Sequence, residues 1–206
     1  MIRGAARPSI AGMNPIAPES LLTLEAYARQ RGDFRARVIA HKKRRTVHLG
    51  GHLTLQFEDE LTVRYQVQEM LRIERIFEPA GIQGELDAYN PLIPDGGNWK
   101  ATLMIEYPDP EERRAALARL KGLERRVWVR VAEFPRVYPI ADEDLERETD
   151  EKTSSVHFLR FELEAPMRAA LKSGAGLAIG VDHPACAAAL DPVPAEIRAS
   201  LVEDLA

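Results

Sequence analysis

Apolar residues recur at helical spacing along several stretches of the chain, and the clearest stretch covers residues 60–77. Val63, Val67, Met70, Ile73 and Phe77 follow one another there at intervals of three or four residues, which is the spacing of one face of an amphipathic helix. Shorter patterns predict helices over residues 19–31, 33–45, 82–89, 110–122 and 166–172, and a last helix from residue 194 onward.

Other stretches alternate between apolar and polar residues. Every second position from 99 to 107 is apolar, namely Trp99, Ala101, Leu103, Ile105 and Tyr107, as in a strand with one buried face. Similar patterns predict a hairpin or bent strand pair over 47–57 and strands over 126–131, 136–140, 155–163 and 177–182. Five or six short strands mixed irregularly with helices favour an α+β fold, with helices packed on an antiparallel or mixed sheet.

The beginning of the chain differs from the rest in composition. Residues 1–18 are rich in Ala, Pro, Gly and Ser and show no apolar period, so we expect a disordered leader, with Met1 or Met13 as the start, followed by a single α+β domain over 19–206. No apolar run approaches the roughly 20 residues of a membrane span. Cys186 is the only cysteine, which excludes an internal disulfide and, with the absence of a secretory signal pattern, predicts a cytoplasmic protein.

Charge along the chain is uneven, although the formal net charge is only −4. A basic run (Arg35, Arg37, Lys42, Lys43, Arg44 and Arg45) is followed much later by an acidic run (Asp142, Glu143, Asp144, Glu146, Glu148, Asp150 and Glu151). The cations could bind phosphate groups. Alternatively, the acidic run could neutralise the basic run within the chain. Because the net charge is negative and no aromatic residue is interleaved with the cations, we expect no tight nucleic-acid binding. No glycine-rich phosphate loop follows a predicted strand.

The histidines and the last two predicted strands hold the candidate chemistry. His48 and His52 are separated by Gly50 and Gly51, which does not give the geometry of a metal pair. In the strand over 155–163, His157 lies in an apolar row, whereas Arg160 and Glu162 share the other face. Such residues are most often a hydrogen-bonded core histidine and an ion pair.

The strand over 177–182 places Ala178, Gly180 and Asp182 on one face and ends at His183. Three small or short residues leave space above that face for a ligand or for a bulky neighbouring side chain. Strands joined by one short helix are often neighbours in a sheet. We therefore expect one ligand or partner site to combine the polar residues of both strands: His157, Arg160, Glu162, Asp182 and His183.

The helix over 60–77 carries a second polar group. Gln66 lies in register with Met70, Ile73 and Phe77, so its amide is expected to face the interior and to need hydrogen-bond partners. The polar face consists of Tyr65, Gln66, Glu69 and Arg72. It either stabilises the fold or lines a cleft.

Five strings of residues resemble a known family. They are FRARVIA (34–40), YQVQEMLR (65–72), ELDAYNPLIP (85–94), SVHFLRFEL (155–163) and DHPA (182–185). Together they resemble the uncharacterised bacterial family called domain of unknown function 3501, over roughly residues 20–203. The resemblance carries no established catalytic residues. The family pattern has an aromatic residue where this chain has Cys186, so any role of that aromatic is in doubt here.

The resemblance implies a functional setting rather than a mechanism. Members are encoded near rubrerythrin-like di-iron proteins and cysteine-rich iron–sulfur oxidoreductases, so the first hypothesis is an accessory or partner-binding protein of an iron-dependent redox system, its own cofactor unknown. The alternative is a small-molecule or metal-binding enzyme with its site on the C-terminal strands. A third hypothesis is nucleic-acid binding through the basic run.

Overall fold

The computed structural model describes residues 15–206, which contain six α-helices and eight strands in two antiparallel sheets. The predicted α+β class is confirmed. The strands are β1 (Thr46–Leu49), β2 (Leu53–Phe57), β3 (Asn98–Ile105), β4 (Val127–Val131), β5 (Ile140–Ala141), β6 (Val156–Glu162), β7 (Leu177–His183) and β8 (Cys186–Leu190). The helices are α1 (Leu24–Lys42), α2 (Glu60–Glu74), α3 (Pro79–Tyr89), α4 (Pro110–Arg119), α5 (Ala165–Lys172) and α6 (Ala195–Val202).

The main core lies between the two sheets. The larger sheet has the order β1-β2-β3-β6-β5 and the smaller one β4-β7-β8. Alternation along each strand sends one apolar row inward, so that Leu55, Leu103 and Phe161 belong to the same buried cluster as Val129 and Ile179. This burial of two apolar faces against each other is the main stabilising contribution to the fold.

A second, smaller core lies among the first helices. Val63, Val67 and Leu71 of α2 pack with Leu86 of α3 and with Ile16. Ile16 is buried, and its backbone N–H donates to Oδ1 of Asn90 at 2.9 Å. The predicted disordered leader therefore extends too far, because residues 15–18 are part of the fold; the prediction for residues 1–14 falls outside the described residues.

Several predicted elements are corrected. The two helices predicted over 19–31 and 33–45 are the single helix α1, which continues through Gly32. The strand predicted over 136–140 reduces to β5, and the last strand of the smaller sheet, β8, was not predicted. The strands predicted as neighbours, β6 and β7, lie in different sheets. None of the helices in residues 15–206 is both long and apolar enough to cross a membrane.

Candidate functional site

The outer face of the five-stranded sheet forms the floor of a cleft. In β3 and β6 the inward positions hold the core, so alternation turns Lys100, Thr102, Phe158 and Arg160 outward. The antiparallel register pairs Thr102 with Phe158 and Lys100 with Arg160. The outer face therefore carries polar and aromatic side chains in adjacent rows.

Helix α3 and the turn that follows it form the opposite wall of this cleft. One cavity of about 550 Å³ lies between Tyr89, Pro91 and Leu92 on one side and Lys100, Phe158 and Arg160 on the other. A second cavity of about 280 Å³ shares Tyr89, Leu92 and Phe158 with it. The two cavities are thus adjoining halves of one cleft.

Lys100 is the most unusual group of the cleft. Its side chain is half-buried, and its ammonium donates to the backbone carbonyl of Pro91. None of the ion pairs among the described residues includes Lys100. The charges of Asp95, Glu143 and Glu162 favour its charged form, and the charge of Arg160 disfavours it. Burial lowers the pKa of Lys100 below its ordinary value, because a low-dielectric environment disfavours the charged amine.

Arg160, next to Lys100, is fully paired. Its guanidinium makes two parallel hydrogen bonds of 2.7 Å to the carboxylate of Glu143 and a further contact with Glu162. The Arg160 guanidinium lowers the pKa of the Glu143 carboxyl. Asp144, also in the cleft wall, is paired in the same way with Arg147. Glu143 and Asp144 therefore have cations of their own.

The smaller half of the cleft ends at a buried carboxylate. Oε1 of Glu58 accepts from the hydroxyl of Thr102 at 2.8 Å, and Oε2 accepts from the hydroxyl of Thr62 at 2.5 Å. Gln56 and Gln66 also line this half. Hydroxyl and amide groups at one end and an ammonium at the other give the cleft polar ends and an apolar middle.

The site predicted on the C-terminal strands does not exist as one site. His157 points inward and is completely buried, where Nδ1 bonds Oδ2 of Asp142 at 2.6 Å and Nε2 lies 3.0 Å from the carbonyl of Ser154. Arg160 and Glu162 lie on the outer face of the same sheet. His157 thus fastens the loop after β5 to β6, in agreement with a hydrogen-bonded core histidine.

Asp182 and His183 lie in the three-stranded sheet, whereas Arg160 lies in the five-stranded sheet. Asp182 accepts from the hydroxyl of Tyr138 at 2.6 Å and from Arg136 at 3.0 Å. Nε2 of His183 donates to the carbonyl of Lys121, and its Nδ1 accepts from Ala185 N–H, so it closes a turn.

The space above the small residues of β7 is filled by a neighbouring side chain. A Cβ on Gly180 would lie 2.3 Å from Cζ2 of Trp128, so only glycine permits this packing. The guanidinium carbon of Arg136 lies over the indole ring, 4.2 Å from its centroid. Of the two alternatives for this face, the bulky neighbour is correct.

The predicted polar face of α2 is divided among three environments. Glu69 accepts from Tyr27, Arg31 and Arg72 at the contact with α1. The ring of Tyr65 packs against Phe34. Gln66 is exposed and lines the cleft, so its predicted interior position is wrong. Val63, Val67 and Leu71 form the buried face of this helix instead.

The basic run is also divided. Arg45 is 1% exposed and bonds Asp204 and three backbone carbonyls, whereas Lys43 and Arg44 are exposed. In the described part of the chain, no ion pair joins this run to the acidic run, whose Glu143 and Asp144 pair with Arg160 and Arg147 instead. Neutralisation of the basic run by the acidic run, one of the two alternatives, is therefore not observed in residues 15–206.

Metal binding finds no support from the histidines. His48 bonds the hydroxyl of Thr54, and the ring of His52 stacks on Tyr107. Within residues 15–206, no group of three or more His, Cys, Asp or Glu side chains is arranged to hold a metal ion.

Two similarities identify the family of the protein. No curated protein matches the chain. A crystal structure of a novel protein of unknown function from Burkholderia pseudomallei is 60% identical in sequence, with a TM-score of 0.89 over 94% of this chain and 100% of that chain. The model of the family described as proteins of unknown function, DUF3501, matches residues 15–205. The resemblance seen in the sequence is confirmed, and the chain belongs to the DUF3501 family.

Proposed function

We propose that the cleft binds a small organic anion with an apolar body, its anionic group against Lys100. The observation that carries this proposal is the half-buried ammonium of Lys100, which has one carbonyl acceptor and no carboxylate partner among the described residues. A buried charge is costly unless it is paired. A carboxylate from a ligand would supply the missing charge and a strong charge-assisted hydrogen bond.

The acidic residues nearest to Lys100 leave its ammonium available to bind an anion. Glu143 and Asp144 are bound to Arg160 and Arg147, so they do not compete for its ammonium. Asp87 is exposed and accepts from the side chain of Gln83. A carboxylate ligand would therefore not have to displace a carboxylate that is already paired with the ammonium of Lys100.

The walls of the cleft suit the rest of such a ligand. Tyr89, Leu92 and Phe158 give apolar surface between the two halves, and the larger half, about 550 Å³, lies within the range of ordinary small-molecule pockets. An aromatic or aliphatic body would lie against Phe158. A hydroxyl or amine at its far end would reach Glu58.

Calorimetric titration with 4-phenylbutyrate and with its neutral amide tests this proposal. We expect the carboxylate to bind about tenfold more tightly than the amide, the difference made by one charge-assisted hydrogen bond. Lys100→Met keeps the length of the stem and should abolish the preference, whereas Lys172→Met, at an exposed position of α5, should keep it. Equal affinities of the two ligands for the unchanged protein would overturn the proposal.

As a second function, we propose an accessory role in the bacterial cytoplasm beside an iron-dependent redox system, with a rubrerythrin-like di-iron protein or an iron–sulfur protein as partner. It is supported by the setting that the family resemblance implies and by two exposed apolar side chains, Ile73 in the last turn of α2 (60% exposed) and Phe77 after the end of that helix (68%). Exposed apolar surface of this kind is typical of protein contacts.

Gel filtration of the purified protein with a purified rubrerythrin-like protein and with an iron–sulfur oxidoreductase tests the second function. Co-elution that is lost in the double variant Ile73→Ser, Phe77→Ser and kept in Ile39→Ser, another exposed apolar position of the helical layer, is the expected result. Independent elution of all three proteins would contradict it.

A further inference from the structure

Glu58 is a second charged residue of the cleft that has no ion-pair partner. Its side chain lines the smaller half of the cleft, and the residue is 9% exposed. The carboxylate accepts from the hydroxyls of Thr102 and Thr62, and none of the ion pairs within residues 15–206 includes it. These two donors leave about half of the lone pairs of a carboxylate unused. Glu58 thus has the same deficit as Lys100, with the opposite charge.

Glu58 and Lys100 are neighbours in the sheet, yet their charged groups have different partners. The backbone N–H of Glu58 donates to the carbonyl of Lys100 at 2.8 Å, so the two residues lie side by side on adjacent strands. The carboxylate of Glu58 is turned to Thr62 and Thr102, whereas the ammonium of Lys100 is turned to the carbonyl of Pro91. A molecule that carries a carboxylate and an amine could pair with both groups at once.

The charge balance of the whole cleft indicates the same kind of ligand. Three cations and four carboxylates line its two halves: Lys42, Lys100 and Arg160, and Glu58, Asp87, Glu143 and Asp144. A ligand that brings only a carboxylate adds to this excess of negative charge, whereas a ligand that also brings an amine does not. The cleft therefore favours a ligand that has both charges and no net charge.

The middle of the cleft determines how the two charges must be arranged. Tyr89, Leu92 and Phe158 line both halves and give apolar surface between the charged groups. An α-amino acid holds its amine and its carboxylate on one carbon atom, so it cannot place apolar groups between them. The ligand must instead carry its charges at the two ends of an apolar body.

We propose that the cleft binds an amino carboxylate whose charged groups are separated by an apolar body, with the carboxylate on Lys100 and the ammonium on Glu58. This inference rests on the anion site proposed above and specifies the other end of its ligand. An ammonium has three N–H donors, and one of them directed at Glu58 forms a charge-assisted hydrogen bond. A hydroxyl in the same place would donate one neutral hydrogen bond and would leave the charge of Glu58 uncompensated.

Calorimetric titration with two pairs of ligands tests this inference. The amines are 4-aminomethylphenylacetate and the longer 4-(4-aminomethylphenyl)butyrate, and each is compared with the alcohol that has hydroxymethyl in place of aminomethyl. The alcohols keep the carboxylate, the ring and the size. For the better-fitting length, we expect the amine to bind about tenfold more tightly than its alcohol, because only the amine forms a charge-assisted contact.

A substitution at Glu58 assigns the preference to this residue. Glu58→Gln keeps the size of the side chain and removes its charge, so the variant should bind the amine and the alcohol with equal affinity. The alcohol, titrated into the same variant, reports whether the cleft is still formed. Glu74→Gln, the same change at an exposed position of α2, should keep the tenfold preference.

The outcomes separate this inference from the function on which it rests. Equal affinities of amine and alcohol at both lengths, measured on the unchanged protein, would overturn the inference whatever the stability of Glu58→Gln. A preference for the amine that persists in Glu58→Gln would overturn it as well. If 4-phenylbutyrate is nevertheless preferred over its amide, the anion site at Lys100 stands and only the amine site fails. If that preference is absent too, both proposals fail.

Discussion

The buried cation Arg45 and the half-buried cation Lys100 have opposite surroundings. The guanidinium of Arg45 bonds the carbonyls of Phe57, Glu58 and Ser200 at 3.0–3.2 Å and pairs with Asp204 and Asp59. It ties the end of α1 to β2 and to the C-terminal helix. The ammonium of Lys100 has one carbonyl partner at the edge of an open cleft.

The number of partners within the chain distinguishes a structural cation from a candidate binding residue. Every donor direction of Arg45 is used within the chain, so a ligand would have nothing to bind there. Lys100 keeps donors and charge unused in a place where water is partly excluded, and such a group binds an added anion strongly. Lys100 is a candidate binding residue because most of its donors have no partner in the chain. Burial and charge alone would not distinguish it from Arg45.

The largest expected effect on stability comes from replacing Arg45, whose donors are all paired within the chain. Arg45→Met should lower the free energy of unfolding by about 3–5 kcal/mol, because it leaves Asp204 and three carbonyls buried without their donor. Urea denaturation measures this loss. Arg44→Met, at the exposed neighbouring position, should change stability by less than about 0.5 kcal/mol. A loss for Arg45→Met as small as that of the control would show that Arg45 is not a structural tie.

His157, whose two ring nitrogens both have hydrogen-bond partners, is the next group to test. His157→Ala should cost about 2–3 kcal/mol of unfolding free energy. Asp142 would lose its partner at Nδ1, and the hydroxyl of Thr153, which lies 3.0 Å from Nε2, would lose its partner as well. His52→Ala, which removes an exposed ring stacked on Tyr107, should cost less than about 1 kcal/mol. If His157→Ala is as stable as the unchanged protein, the histidine is not part of the structural framework, and a role in a site would have to be reconsidered.

Glu69 gives a smaller effect with a defined pH dependence. The hydrogen bond from Arg31 holds the pKa of Glu69 at about 2, below its ordinary value of 4.5. A lowered folded-state pKa means that the stabilisation is present above pH 4.5 and is lost as the pH falls through about 2. Glu69→Gln should therefore cost about 1–2 kcal/mol at pH 7, after allowance for solvent screening of the partly exposed Arg31.

Urea denaturation across the acid range checks the sign of this effect. The difference in unfolding free energy between Glu69→Gln and the unchanged protein should shrink as the pH falls below 4.5. Glu74→Gln, at an exposed position near the end of the same helix, should show no such convergence. A difference that does not change with pH would contradict the assignment of the network to Glu69.

The smallest expected effect on stability comes from replacing Lys100, which has one carbonyl partner. Lys100→Met should leave the unfolding free energy unchanged or raise it by up to about 1 kcal/mol, because it replaces a poorly paired, half-buried charge by an apolar side chain of similar length. The same urea measurement applies. A loss of several kcal/mol would place Lys100 in the same class as Arg45.

The fold was predictable where the signal is local. Alternation fixed the inward face of β3, and the capping residues Asp109 and Pro110 marked the start of α4. The pairing of strands was not predictable in this way. Both β6 and β7 have a buried inward row, so either could join either sheet, and long-range packing decides. The strand β8 was not predicted because its sequence, Cys186-Ala-Ala-Ala-Leu190, is a weak strand pattern.

The candidate site was harder to predict than the fold. Gln66 was expected inside because Ile73 and Phe77 follow it at helical spacing. These two side chains are exposed, and Phe77 lies beyond the end of α2. Lys100 was recognisable as an outward position of a strand, where a lysine is normally solvated. Only the placement of α3 and Leu92 over the sheet makes it a half-buried group of a cleft, and no local pattern encodes that placement.

The most direct measurement is the titration of Lys100 itself, followed by NMR after reductive methylation of the lysines with ¹³C-formaldehyde and assigned with Lys100→Met. Without ligand, Lys100 should titrate below its ordinary value of 10.5. With saturating 4-phenylbutyrate its pKa should rise, because a bound carboxylate favours the charged amine, while the resonance of exposed Lys172 should not move. A pKa of Lys100 that stays the same with and without the carboxylate would contradict an anion site in this cleft.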